Sequence, residues 1–281
     1  MKVWGWPLLL SVLAWAGASS DALTQPQASS VQATPIVIGQ SYALPSVIMK
    51  EAREINVWLP PGYDDSARSY PVLVLLDGGR TQDFHHISGL AQLGAIAGTS
   101  DDFILVGVAT QDRRNELTFR AQQDTSLIVD YPTHGQSARF RRFLTEEVLP
   151  FVRSNWRVDG DAALIGESLA GLFVVETYLE TPDLFDRYVA VSPSLWWDEQ
   201  ALSQRAPDFL DAAPHHSQLW LTIADEGGTM QAGMDRLVAA LRARPGLTWR
   251  YTPWPGATHA TIFHEAALAA IRDLYPPPPS Q

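Results

Sequence analysis

The run Gly166-Glu167-Ser168-Leu169-Ala170-Gly171 carries residue types suited to nucleophilic attack on a carbonyl. It follows an apolar stretch, Ala162–Ile165, and precedes a stretch of helical period, Leu169–Glu180. A serine at such a strand-to-helix junction sits on a sharp, strained turn that projects its hydroxyl. The same turn aims the first helical N–H groups at the place where negative charge develops on an attacked carbonyl oxygen. Positions two before and two after the serine crowd the turn, so Gly166 and Ala170 leave room that larger side chains would fill. Ala170 departs from the usual G-x-S-x-G, but alanine is the smallest replacement and Gly171 follows at once. The competing reading, a serine that caps a helix, is common; the strand–turn–helix context favours the nucleophile.

A serine hydroxyl needs a base, almost always histidine, and an acid that holds the imidazole in the right tautomer. With a nucleophile on this kind of elbow, the chain order is serine, acid, histidine. Of seven histidines, two come late enough, His259 and His264. His259 lies in Pro255-Gly256-Ala257-Thr258-His259, after the expected last strand Thr248–Tyr251 and at the start of the expected last helix, where the base belongs. His264 falls inside that helix and reads as a surface residue. The adjacent pairs His85-His86 and His215-His216 read as non-catalytic, because sequence neighbours rarely converge on one target. The acid should follow the strand Leu219–Ile223, where Ala224-Asp225-Glu226-Gly227-Gly228 offers Glu226, the preferred candidate, with Asp225 as the alternative. The carboxylate not used would cap the helix that begins near Met230. For the oxyanion, Leu169 supplies one N–H and the loop Asp77-Gly78-Gly79-Arg80 is expected to supply the other from Gly78 or Gly79. No H-E-x-x-H motif or carboxylate–histidine cluster suggests a metal, and no cofactor is expected.

The elements that position these residues read as alternating strands and helices. Apolar runs bounded by turn residues mark buried strands at Pro71–Leu76, Phe103–Thr110, Ala162–Ile165, Tyr188–Ser192 and Leu219–Ile223. Helical periods fall at Phe84–Ile96, Ser137–Ser154, Leu169–Glu180, Met230–Ala243 and His259–Tyr275. Ser41–Met49 and Glu54–Leu59 read as an antiparallel edge. The expected class is therefore α/β, with a mostly parallel central sheet, antiparallel N-terminal edge strands and helices on both faces. Residues 41–275 are expected to form a single domain, with a Pro-rich tail at 276–281.

The N-terminus has the layout of a secretory signal. Lys2 is followed by an apolar run to about Ala18, closed by Ala16-Gly17-Ala18. Residues 1–18 are thus expected to be a signal peptide and 19–40, rich in Ala, Ser, Gln and Pro, a flexible leader. The apolar run is shorter than the roughly 20 residues of a spanning helix, so no stable membrane span is expected after its removal. Export is expected, to the periplasm rather than the medium. The net charge of −11 argues against nucleic acid as a partner, and the absence of cysteine excludes cysteine hydrolases and a disulfide framework.

Together these pieces resemble the esterase D-like, enterobactin-esterase-like branch of the α/β-hydrolases. The resemblance is carried by Val72–Gly79, Val106–Thr118, Phe140–Val152, Leu164–Phe173 and Val191–Trp197 (V-S-P-S-L-W-W). It implies a serine carboxylic-ester hydrolase without metal or organic cofactor, with Ser168 and His259 at the family's nucleophile and base positions. Glu167 departs from it, since relatives often carry histidine there; its charge is placed to perturb the pH profile or to repel an anionic substrate. Trp196 and Trp197 follow a strand end and are placed either to stack on an aromatic acyl group or to pack a helix on the sheet. Arg80, Arg113, Arg114 and Arg120 follow strand ends, where they meet an anionic ligand or form structural ion pairs. The expected substrate is a small-molecule ester, aromatic or siderophore-like. Acyl transfer on the same triad and ligand binding on a non-catalytic hydrolase scaffold are the alternatives.

Overall fold

The inner strands of the central sheet bury both faces, and the sequence shows how. In β3 (Tyr70–Leu76), Val72, Val74 and Leu76 pack into one core while Leu73 and Leu75 pack into a second core behind the sheet. A strand covered on both sides needs apolar residues at every position rather than at alternate ones. Burying each such side chain contributes about 1.5–3 kcal/mol relative to exposure.

The computed structural model describes residues 32–277. One eight-stranded sheet runs in the order β1-β2-β4-β3-β5-β6-β7-β8. Besides β3, its strands are β1 (Gln40–Ser46), β2 (Glu51–Trp58), β4 (Ile104–Val108), β5 (Val158–Glu167), β6 (Arg187–Val191), β7 (Gln218–Ala224) and β8 (Thr248–Trp254). The β1–β2 and β2–β4 pairs are antiparallel, and every later pair is parallel. The chain leaves β3 toward β4 and then crosses back over it to β5, so the strand order reverses at β3. The crevice beyond the carboxyl ends of β3 and β5 is where such sheets place their ligands.

Helices α1 (Phe84–Ala97) and α9 (Ile262–Leu274) cover one face of the sheet. The opposite face is covered by α4 (Ser137–Phe143), α5 (Leu149–Asn155), α6 (Leu169–Glu180), α7 (Trp197–Ala212) and α8 (Gly228–Ala243). Two short helices, α2 (Arg113–Leu117) and α3 (Thr125–Asp130), lie between β4 and α4. Every residue of α6 from Leu169 to Leu179 is buried, as expected of a helix that is apolar all round. This is the α/β-hydrolase architecture that the resemblance implied.

The structure differs from the sequence expectation in several places, among them the short helices α2 and α3, which had no expected counterpart. Ser137–Ser154 is not one helix: a π turn, Leu144–Val148, joins α4 to α5, and Pro150 lies in the first turn of α5. The last helix begins at Ile262, which leaves His259 in a turn ahead of it. Helix α7 has no counterpart among the expected elements. The proposed signal segment 1–18, most of the leader 19–40 and the end of the tail 276–281 lie outside the described residues. Described residues 32–36 are exposed and form no helix or strand. Among the described residues no helix is long and apolar enough to cross a membrane.

Candidate active site

Ser168 stands between β5 and α6 with φ 61° and ψ −119°, a conformation that residues other than glycine avoid. Such a residue stores about 1–3 kcal/mol and persists only where its surroundings over-determine it. Here the Ser168 N–H donates to the Val191 carbonyl at 3.0 Å, and the Ser168 carbonyl accepts from Leu172 N–H at 2.9 Å and Ser194 N–H at 3.0 Å. Gly166 is required by close approach: a Cβ there would lie 2.7 Å from the Cβ of Ala170. The bare Cα of Gly166 is therefore what admits alanine at position 170.

His259 sits in the turn after β8. Thr258 holds that turn, its N–H donating to Thr261 Oγ1 at 2.9 Å and its carbonyl accepting from Ile262 N–H at 3.0 Å. The Asp225 N–H donates to the Ala257 carbonyl at 3.0 Å, which draws the β7 loop against the β8 loop. Gly227 and Gly228 follow with φ 59° and 52° and let the chain reverse into α8. The result is a 3.0 Å contact between Glu226 Oε1 and His259 Nδ1. The Glu226 side chain is only 7% exposed, whereas Asp225 faces solvent. Nδ1 facing a carboxylate carries the proton, so Nε2 is the free, basic nitrogen. The Glu226 hydrogen bond pushes the imidazole pKa up, and partial burial opposes it.

Ser168, Leu169, Glu226 and His259 line one cleft of about 380 Å³, together with Arg113, Arg114, Tyr131, Ser194, Trp196, Trp197 and Met230. Ser168 Oγ pairs with Ser194 Oγ at 3.3 Å. Among the described residues no hydrogen bond joins Ser168 to His259, and resting sites often tighten that contact only when substrate is bound.

The loop after β3 does not enter the cleft. Gly78 N–H donates to the Val108 carbonyl at 2.9 Å, and Gly79 N–H donates to Gln82 Oε1 at 2.9 Å. Both amides expected to face an oxyanion are thus committed elsewhere. The double glycine answers a different need: a Cβ on Gly78 would run into the Cα of Gly107, and one on Gly107 into the Gly78 carbonyl. Arg80 is also outside the cleft, its backbone N–H and guanidinium both on Glu54 at 2.8 and 3.2 Å.

Arg113 reaches the cleft but is half spent. Its Nε donates to Asp77 Oδ2 at 2.7 Å and its Nη2 to the Glu167 carbonyl at 3.2 Å. Behind it lie three carboxyls, Asp77, Asp83 and Glu167, two of them with raised pKa. Burial and the neighbouring Asp77 push Asp83 up to about 6. Burial pushes Glu167 up to about 7 against the opposing pull of His259, and its Oε1 is buried without a hydrogen-bond partner.

The tryptophans part company. Trp197 is 1% exposed and donates its indole N–H to the Phe119 carbonyl at 3.0 Å, while Trp196 is half-buried at the cleft. Arg114 stacks its guanidinium 4.1 Å over Tyr131. Arg120 lines a separate hollow with Phe119, Arg205 and Phe209. Sequence reasoning missed Tyr131, which reaches the cleft from the end of a short helix with no local signal, and Met230, whose helix was expected but whose place at the cleft was not. His264 pairs on the surface with His86, Nδ1 to Nε2 at 2.9 Å. Among the described residues no group of three or more His, Asp or Glu is placed to hold a metal.

The Esterase family model, described as "Putative esterase", matches residues 46–240. Among curated proteins, the chain is 32% identical over 90 residues to ferri-bacillibactin esterase BesA of Bacillus subtilis, covering 32% of this chain and 31% of that protein. It is 39% identical over 83 residues to the siderophore enterobactin esterase of Emericella nidulans, covering 28% and 27%. The aligned stretches thus span about a third or less of these two relatives. Among solved structures, an IroE-like serine hydrolase from Shewanella oneidensis superposes with a TM-score of 0.76 at 28% identity, covering 84% of this chain and 80% of that one.

Proposed function

The chain belongs to the esterase family, and on that premise we propose that it is a carboxylic-ester hydrolase working through an acyl-enzyme on Ser168, with His259 as base and Glu226 as the acid that orients it. The observation that carries this reading is the 3.0 Å His259–Glu226 contact in the cleft that also exposes the elbow serine. Ser168 Oγ attacks the ester carbonyl carbon as His259 Nε2 takes its proton, and the carbonyl π pair moves to oxygen beside the Leu169 N–H. Collapse breaks the C–O bond, and His259 gives its proton to the departing alcohol. Water then repeats the sequence on the acyl-enzyme, releasing the carboxylic acid and restoring the serine hydroxyl.

The substrate class proposed is an aromatic, siderophore-like ester. Tyr131 and Trp196 offer aromatic faces and Arg114 a cation in the same cleft, and of the two relatives one is named a siderophore enterobactin esterase and the other a ferri-bacillibactin esterase. Export belongs to the same proposal; protein recovered from a periplasmic fraction should lack residues 1–18 by N-terminal sequencing.

The test is a fluorophosphonate probe on the purified protein, with the labelled residue mapped by mass spectrometry. Labelling at Ser168 should vanish in Ser168→Ala and fall at least tenfold in His259→Ala. Failure of folded wild-type protein to label, beside an esterase that does, overturns the reading. Hydrolysis of alkyl esters far faster than aryl esters would overturn the substrate class alone.

A further inference from the structure

Three consecutive residues at the start of α7 lie in the left-handed region: Asp198 (φ 49°, ψ 55°), Glu199 (φ 55°, ψ 34°) and Gln200 (φ 65°, ψ 27°). None is glycine, and L-residues enter that region as strained single residues rather than in series. What this turn achieves is the direction of one side chain. The Asp198 carboxylate, on a residue 2% exposed, accepts the backbone N–H groups of Gln122 (3.0 Å), Gln123 (2.7 Å) and Asp124 (2.8 Å). A buried carboxylate surrounded by backbone donors is well solvated by them, and those donors in turn have their partner.

The three amides belong to a strap, residues 118–136, that carries Tyr131 to the cleft. Trp197 Nε1 holds the same strap at the Phe119 carbonyl, 3.0 Å away. Inside the strap, His134 accepts the Ala121 N–H at 3.0 Å through Nε2 and faces the Tyr131 carbonyl with Nδ1 at 2.6 Å. Trp196, immediately before these anchors, lines the cleft itself. Residues 196–198 therefore supply one side of the cleft and anchor the strap that carries Tyr131.

We propose that Asp198 is a positioning residue for substrate selection: by clamping the strap through three backbone amides, it sets the place of Tyr131 and so the acyl groups the cleft accepts. It touches neither Ser168 nor His259. The proposal rests on the esterase reading for its substrate and on the Asp198–strap contacts for its mechanism.

The experiment compares wild type, Asp198→Asn and His134→Ala. His134→Ala cuts the strap's internal tie and removes a ring packed 5.7 Å from that of Trp197 while leaving the Asp198 carboxylate in place, so it perturbs the strap by a second route if Asp198→Asn folds poorly. Three readouts are taken: Ser168 labelling by a small fluorophosphonate, the ratio of kcat/KM for 4-nitrophenyl benzoate to that for the acetate, and amide hydrogen exchange across residues 118–136. In Asp198→Asn, labelling should stay within twofold and exchange in the strap should quicken at least tenfold. The benzoate-to-acetate ratio should fall five- to tenfold, through KM rather than kcat. His134→Ala should shift the ratio in the same direction. Quickened exchange with an unchanged ratio overturns the proposal, as does a ratio that falls through kcat. Wild-type protein that neither labels nor hydrolyses either ester refutes the esterase reading instead, and the exchange comparison still decides whether Asp198 clamps the strap.

Discussion

Ser194 Oγ stands 3.3 Å from Ser168 Oγ, and the Ser194 N–H donates to the Ser168 carbonyl at 3.0 Å. The second bond fixes the first, because it sets where the Ser194 side chain begins. At 3.3 Å the hydroxyl pair is long for O–H···O, so its role is placement of the serine rotamer rather than stability. Ser194→Ala should lower kcat about three- to tenfold with KM unchanged and should slow fluorophosphonate labelling by the same factor. Steady-state kinetics and labelling rates check this. A variant as fast as wild type would show that the contact does not place the nucleophile, and a faster one that it restrains it.

Glu226 raises the His259 pKa by accepting from it. Only neutral imidazole can take the serine proton, so kcat/KM should rise through the His259 pKa, at a pH above that of an ordinary histidine. Glu226→Gln removes the charge; the acid limb should move to lower pH while kcat drops by roughly 10²–10⁴. Asp225→Asn, at an exposed position, should stay within twofold. An acid limb that does not move in Glu226→Gln removes Glu226 from the acid role.

Glu167 makes the opposite kind of statement, about stability. Its pKa rises from 4.5 to about 7 on folding, so the native state holds the proton more tightly than the unfolded chain. The cost of burying its charge is absent below pH 4.5, grows as the pH rises, and is complete above about 7. Glu167→Gln should therefore raise Tm more at pH 8 than at pH 4.5, which paired thermal melts will show. Equal shifts at the two pH values would contradict the buried-carboxyl account.

The elbow makes a packing prediction. Gly166→Ala places a Cβ 2.7 Å from both the Cβ and the carbonyl carbon of Ala170 and should destabilise by about 1–3 kcal/mol, with loss of labelling at Ser168. Adding Ala170→Gly relieves the first contact and leaves the second, which is backbone. The double variant should recover less than half of the stability in denaturant titrations.

Several features were legible because local patterns suffice to fix them. Val72–Leu76 and Ala162–Ile165 could only be strands covered on both faces, and Gly166–Gly171 marked its own turn. His259 and Glu226 were reachable by chain order, although only the fold shows Glu226 rather than Asp225 against the imidazole. Helix α7 was not legible. Its sequence, Trp197-Asp198-Glu199-Gln200 onward, opens on three left-handed residues, carries Pro207 within it and mixes polar with apolar side chains. Tyr131 joins the cleft through Asp198 and Trp197, some seventy residues later in the chain, a pairing that no window of sequence contains. Gly78-Gly79 announced a close approach correctly, but the partner was Gly107 on the adjacent strand rather than a substrate oxygen.

That last contact binds the history of two positions together. Because a side chain on Gly78 collides with Gly107, and one on Gly107 with Gly78 and with Phe84, neither glycine can drift alone while β3 and β4 keep their spacing. In descendants of this sequence the two should be retained as a doublet or lost as one, with Phe84 shrinking in any lineage that gains a methyl group at 107. A collection of orthologous sequences in which the two glycines vary independently would mean that the seam between these strands can slide.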